Sequence, residues 1–173
     1  MSFWSKIFGG SSSEIFAAIK EGNLEKVKSL LKYNPDLVLK TDAAGWTPLH
    51  YAAHWNCRDI AELLLANRAA VDAQDSGDLQ PLHVAAAQGH KDVANLLLAN
   101  KADVNARAEE AITPLHFAAE AGWQDVVQLL LSSNAEVNAV DNAGKTPLQW
   151  AASKGHADVA ELLRQWGRNK PYQ

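Results

Sequence analysis

Apolar residues in this chain come in short groups, none long enough to form a membrane span. The longest unbroken run is five residues, Ile15 to Ile19, against the ~20 that a bilayer-crossing helix needs. The groups recur in a fixed form. Leu63-Leu64-Leu65, Leu96-Leu97-Leu98, Leu129-Leu130-Leu131 and Leu162-Leu163 each follow Ile60, Val93, Val126 or Val159 at three- and four-residue spacing. That spacing places the apolar side chains on one face of a helix. An Asp precedes each face (Asp59, Asp92, Asp125, Asp158), in the first turn, where the helix dipole favours an anion. Asn67, Asn100 and Asn134 mark the expected ends.

A second, shorter helix is predicted upstream of each of these. Thr47-Pro48-Leu49-His50, Gln80-Pro81-Leu82-His83, Thr113-Pro114-Leu115-His116 and Thr146-Pro147-Leu148-Gln149 stand 33 residues apart. Thr before Pro reads as an N-cap followed by the first helical position, where the missing N–H of proline costs nothing. The Ala pairs Ala52-Ala53, Ala85-Ala86, Ala118-Ala119 and Ala151-Ala152 leave room for close backbone approach. Gly89, Gly122 and Gly155 suit a left-handed C-cap, and Asn56 is the best substitute for glycine there. A period of this length marks a repeat architecture, with each unit a helix, a turn, a helix and an extended loop.

These motifs resemble the ankyrin repeat. The matching residues are Thr-Pro-Leu-His, Ala-Ala, Gly-His, and Ala102-Asp103-Val104-Asn105-Ala106. The resemblance implies an all-α solenoid of helix-turn-helix units joined by β-hairpin-like loops. Residues 1–10 form an amphipathic leader and the start of a Gly/Ser linker, and residues 11–173 the repeat domain. Within it, 11–41 is an N-terminal capping repeat, 42–74, 75–107 and 108–140 are full repeats, and 141–173 is a C-terminal capping repeat. The N-terminal capping repeat keeps only Gly22, Val27 and Leu30-Leu31 of the pattern, one residue out of register, and the four in-register units after it are counted first to fourth. Terminal units of a stack must show water a polar face, which fits the five lysines of the N-terminal cap and Arg164 in place of the C-terminal cap's third Leu.

Composition narrows the function. The net charge is −4, from 16 basic and 20 acidic residues, which supplies no basic field for a phosphate backbone, so nucleic acid is not an expected partner. One cysteine, Cys57, makes neither a disulfide nor a Cys-rich metal site. Of the six histidines, the period accounts for five, and His50 and His54 lack a third ligand. No phosphate loop, nucleophile elbow or acid/base pair is present. The chain is therefore read as having no catalytic residues, no metal and no cofactor. A cytoplasmic monomer is expected.

If the framework is structural, function lies in the positions it leaves free. In the ankyrin family the hairpin tips and first helices form one concave face. The resemblance places there Trp46, Leu79, Ile112 and Lys145 before each capping residue. It also places Glu109 and Glu110 in the third loop, and His54, Trp55, Gln88 and Glu120 near the ends of the first helices. Tyr51 and Trp123 complete the candidate protein-binding set, Trp123 standing where the turn His of other units stands. Trp is enriched among binding hot spots, so Trp46 and Trp55 form the expected anchor. Residues 108–140 hold five acids and no Lys or Arg, which would complement basic residues beside an apolar anchor. Two alternatives remain. The leader, with Phe3, Trp4, Ile7 and Phe8 on one helical face, would serve as a membrane tether for an adaptor or fold back over the first repeat. The aromatic patch would otherwise make the chain a self-associating assembly subunit.

Overall fold

A computed structural model describes residues 12–169, so the leader residues named above lie outside the described part. Among the described residues ten α-helices follow in pairs. They are α1 Ser12–Lys20 and α2 Leu24–Tyr33, α3 Pro48–His54 and α4 Arg58–Ala66, α5 Pro81–Gln88 and α6 Lys91–Ala99. Then come α7 Pro114–Ala121 and α8 Gln124–Ser132, and α9 Pro147–Ser153 and α10 Ala157–Asn169. Short 3-10 turns cover Pro35–Leu39 and Glu109–Ala111, and no strand occurs among the described residues.

Local chemistry sets the helix starts. Thr47, Gln80, Thr113 and Thr146 are extended N-caps and proline fills the first turn of each following helix. The starts of α3, α5, α7 and α9 therefore inherit the 33-residue spacing of the prolines. Helix ends are set by backbone that turns left-handed. Gly89 and Gly122 take φ +76° and +78°, and Asn56 takes φ +55° in the corresponding turn. At Gly89 a second constraint applies, because a Cβ there would lie 2.5 Å from the Trp123 ring. The ends of the second helices differ in one respect from the sequence reading. Asn67, Asn100 and Ser133 are the C-caps, while Asn134 is the following left-handed residue at φ +69°, in line with Arg68 and Lys101. Asn tolerates that conformation better than most residues, which is why it appears one position late.

The first helices stack on one another, α3 on α5, α5 on α7 and α7 on α9, and each second helix packs on its own first helix and on the next second helix. Both residues of the Ala pairs at 52–53, 85–86 and 118–119 are wholly buried in that contact. On the outer layer Leu64, Leu97 and Leu130 are fully buried, as is Leu163 at 2% exposure. Each such burial stabilises the stack by roughly 2–3 kcal/mol.

The loops are hairpin-like. Asp42, Asp75, Ala108 and Asp141 each donate their backbone N–H to the carbonyl four residues on, at 2.9–3.1 Å. Neighbouring tips are joined by backbone bonds from Ser76 to Ala44, Glu109 to Gly77 and Asn142 to Glu110. The row of tips is thus held in register through the main chain, with the Ser76 hydroxyl adding a bond to the Ala44 carbonyl at 2.8 Å.

Candidate functional site

Three buried histidines tie the tips to the helices. In each, Nδ1 accepts the N–H of the helix-capping residue: Thr47 to His50 at 3.1 Å, Gln80 to His83 at 3.1 Å, Thr113 to His116 at 3.3 Å. A nitrogen that accepts an amide proton cannot carry its own, so the proton sits on Nε2. From there it is donated to a neighbouring unit's carbonyl, Leu79 from His50 and Lys145 from His116, and to Ala106 from His83. Burial pushes all three below the ordinary imidazole range, His83 to about 4. These side chains are fully engaged as neutral struts. In the fourth unit Gln149 Oε1 accepts the Thr146 N–H at 2.8 Å in the same way.

A periodic aspartate that the sequence reading passed over braces the hairpins. One oxygen of Asp42, Asp75 and Asp141 accepts the amides two and four residues on, at 2.8–2.9 Å. The other oxygen accepts an aromatic donor: the Tyr51 hydroxyl on Asp42, the Trp46 indole on Asp75 and the Trp150 indole on Asp141. Burial raises Asp42, but the Trp46 amide and the Tyr51 hydroxyl outweigh it and hold the carboxyl below its usual value. The Lys145 amide, with the Trp150 indole and Ala143 amide, does the same for Asp141. The third unit has Ala108 at this position and Phe117, which has no donor, where Tyr51 and Trp150 stand. The signal was present in the sequence as Asp at 33-residue spacing with one gap.

This network sorts the predicted site residues. Trp46 is half-buried, anchored to Asp75 at 2.8 Å, and stands edge-on to Tyr51 and His54. Tyr51 points inward and stacks on Phe16 at 4.7 Å between ring centroids. Trp55 is 44% exposed, edge-on to His54, with the Lys20 ammonium 5.6 Å from its ring centre. Trp123 lies in the turn before α8, where its indole donates to the Ala87 carbonyl at 2.9 Å. His90 donates to the His54 carbonyl from the corresponding turn, so Trp123 takes the packing part of a turn histidine and leaves one face exposed.

Trp46, His54, Leu79 and Gln88 do come together, around an open, mainly apolar cavity of about 190 Å³. Its other walls are His83, Val84, Ala87 and Phe117, with Val84 buried and Phe117 half-buried. Val84 and Phe117 stand where the first and fourth units have the hydrogen-bonded Tyr51 and Trp150. His54 Nδ1 is buried with no hydrogen-bond partner among the described residues.

The remaining candidates flank it. Ile112 is half-buried on the third hairpin, and Glu109 and Glu110 are exposed at its tip without an ion pair among the described residues. Glu120 is engaged, 2.9 Å from the Lys154 ammonium. Lys145 is exposed on the fourth hairpin. Among the described residues no three His, Cys, Asp or Glu side chains are grouped to hold a metal ion, and no helix is long and apolar enough to cross a membrane.

Stacked helix pairs, a histidine-tied row of hairpins and an open apolar hollow between them define a repeat solenoid. The family profile described as ankyrin repeats (3 copies) matches residues 15–108 and 82–172, and the chain belongs to the ankyrin repeat family. Among curated proteins it is similar to protein phosphatase 1 regulatory subunit 27 of Homo sapiens, 49% identical over 49 residues. That stretch is 28% of this chain and 31% of the relative. Ankyrin repeat domain-containing protein 49 of Drosophila melanogaster is 42% identical over 55 residues, 32% of this chain and 26% of the relative. Protein phosphatase 1 regulatory subunit 12A of Mus musculus is 39% identical over 59 residues, 34% of this chain and 5% of the relative. The matched stretches thus span less than a third of each relative's length.

Proposed function

We propose that this chain is a non-catalytic binding module that holds a partner protein on the concave face formed by its hairpins and first helices. The observation that carries the reading is the apolar hollow bounded by Trp46, Leu79, Val84, Ala87 and Phe117. It opens on the face whose framework leaves side chains free, and its walls span three repeats. Regulatory subunits among the relatives support a protein-binding role for the repeats. The short match carries no particular phosphatase to this chain. Trp46 belongs to the site as a rigid wall rather than as a free anchor, and Trp55 and Gln88 extend the surface at its edge.

A pull-down from source lysate tests this with three baits: the wild type, Ala87→Arg, which fills the hollow, and Asn95→Arg on the exposed back of α6. A partner held by the wild type and by Asn95→Arg, and lost on Ala87→Arg at unchanged thermal stability, is the expected result. Equal retention by all three baits would refute the concave-face assignment. Trp46→Ala is a poor probe here, since it also removes a donor from Asp75.

A further inference from the structure

We infer that the segment this face captures is an extended, basic stretch of a partner protein. It carries one bulky apolar side chain for the hollow and Arg or Lys beside it for the third hairpin. The inference rests on the concave-face reading and adds the chemistry of the occupant. Size comes first. About 190 Å³ is below the ~300 Å³ at which pockets begin to enclose small ligands and cofactors. A single large side chain fits it, delivered by a chain that continues on either side. The Trp46 wall is already fixed by its bond to Asp75, so little ordering is needed on binding.

Charge gives the flanking residues. Glu109 and Glu110 crown the third hairpin and Asp78 the second, all exposed and none in an ion pair among the described residues. The Glu109 carboxylate leans over Gly77, whose added Cβ would lie 3.8 Å from Oε2. These acids therefore sit on the two adjacent tips that carry Leu79, which lines the hollow, and Ile112. The third unit itself holds no Lys or Arg, and Arg107, just before it, forms no ion pair among the described residues and donates to the Val140 carbonyl at 3.5 Å. Glu120 is already taken by Lys154 and is left out of the contact. Lys145 on the fourth hairpin bounds the acidic stretch on one side, so the basic residues are expected over the second and third tips.

The test uses the full chain, immobilised, to select from displayed random peptides of about a dozen residues, with affinities then measured by fluorescence polarisation. Selected peptides are expected to pair a bulky apolar residue with Arg or Lys a few positions away. Ala87→Arg should weaken them at least ten-fold. Glu109→Lys with Glu110→Lys should also weaken them about ten-fold at low salt, with most of that difference gone near 1 M, where screening shortens to ~3 Å. Matched melting curves exclude misfolding. Peptides lost on Ala87→Arg but acidic, neutral or indifferent to the hairpin reversal would overturn the basic-segment inference and leave the concave-face reading standing. Peptides indifferent to Ala87→Arg would overturn both, and so would failure to enrich any sequence over the Ala87→Arg control. A second copy as occupant would appear in light scattering as a dimer that Ala87→Arg returns to monomer, and would overturn the assignment.

Discussion

At the scale of single residues, the chain spends its polar side chains on holding hairpins to helices. The histidines illustrate the cost. His83 must remain neutral because its Nδ1 accepts an amide proton, and burial lowers it to about 4 against 6.5 in an open chain. A depressed histidine means that the unfolded chain binds more protons between those values. The stability it contributes is therefore fully present above about pH 6.5 and is lost as pH falls toward 4, on the order of 3 kcal/mol for His83. His50 and His116 act in the same direction. Asp42 and Asp141, lowered in the fold, add stability above the carboxylate range and lose it only at more acid pH. Urea titrations across pH 4 to 7 should show stability falling on the acid side in the wild type. His83→Gln, copying Gln149, should flatten that slope even if it lowers stability at pH 7. An unchanged slope would show that His83 is not a neutral strut.

The elements show why one hairpin differs from the rest. Three hairpins are braced by an aspartate whose second oxygen takes an aromatic donor, and the third has Ala108 opposite Phe117. Its tip compensates poorly, with Glu110 and Ala111 both at positive φ, near +59° and +58°. Adding the carboxylate alone would leave one buried oxygen without a partner, which costs roughly 1–3 kcal/mol. Adding the donor as well should recreate the Tyr51–Asp42 arrangement. Ala108→Asp is therefore expected to be neutral or destabilising by itself, and stabilising in combination with Phe117→Tyr. The coupling should be on the order of 1 kcal/mol in a double-mutant cycle. Additive effects would count against the pairing.

As a whole molecule, the stack is quasi-one-dimensional, since each unit touches only its neighbours. Leu97 is buried between units that continue on both sides, while Leu163 belongs to the last helix pair among the described residues. Truncation of either leaves a cavity worth roughly 3 kcal/mol, but the consequences should differ. Leu97→Ala should lower the melting point of the entire domain. Leu163→Ala should release amide protection in α9 and α10 first, as hydrogen exchange would reveal. Uniform loss of protection in both variants would mean that the domain is too cooperative for this picture.

The sequence by itself determined the repeat, its length and its helices, because each depends on neighbours within one turn or one loop. Thr before Pro caps a helix, glycine or Asn56 takes a left-handed turn, and Leu at three- and four-residue spacing makes an apolar face, whatever lies elsewhere. The proposed binding face was legible only through that framework. Tertiary structure alone decided which free side chains are already engaged. Trp46 spends its indole on an aspartate 29 residues away, Glu120 is paired with Lys154, and Tyr51 turns inward to Asp42. It also decided where the hollow lies. Val84 and Phe117 look like core in a single unit, and they become walls of an open cavity only when three units are stacked side by side.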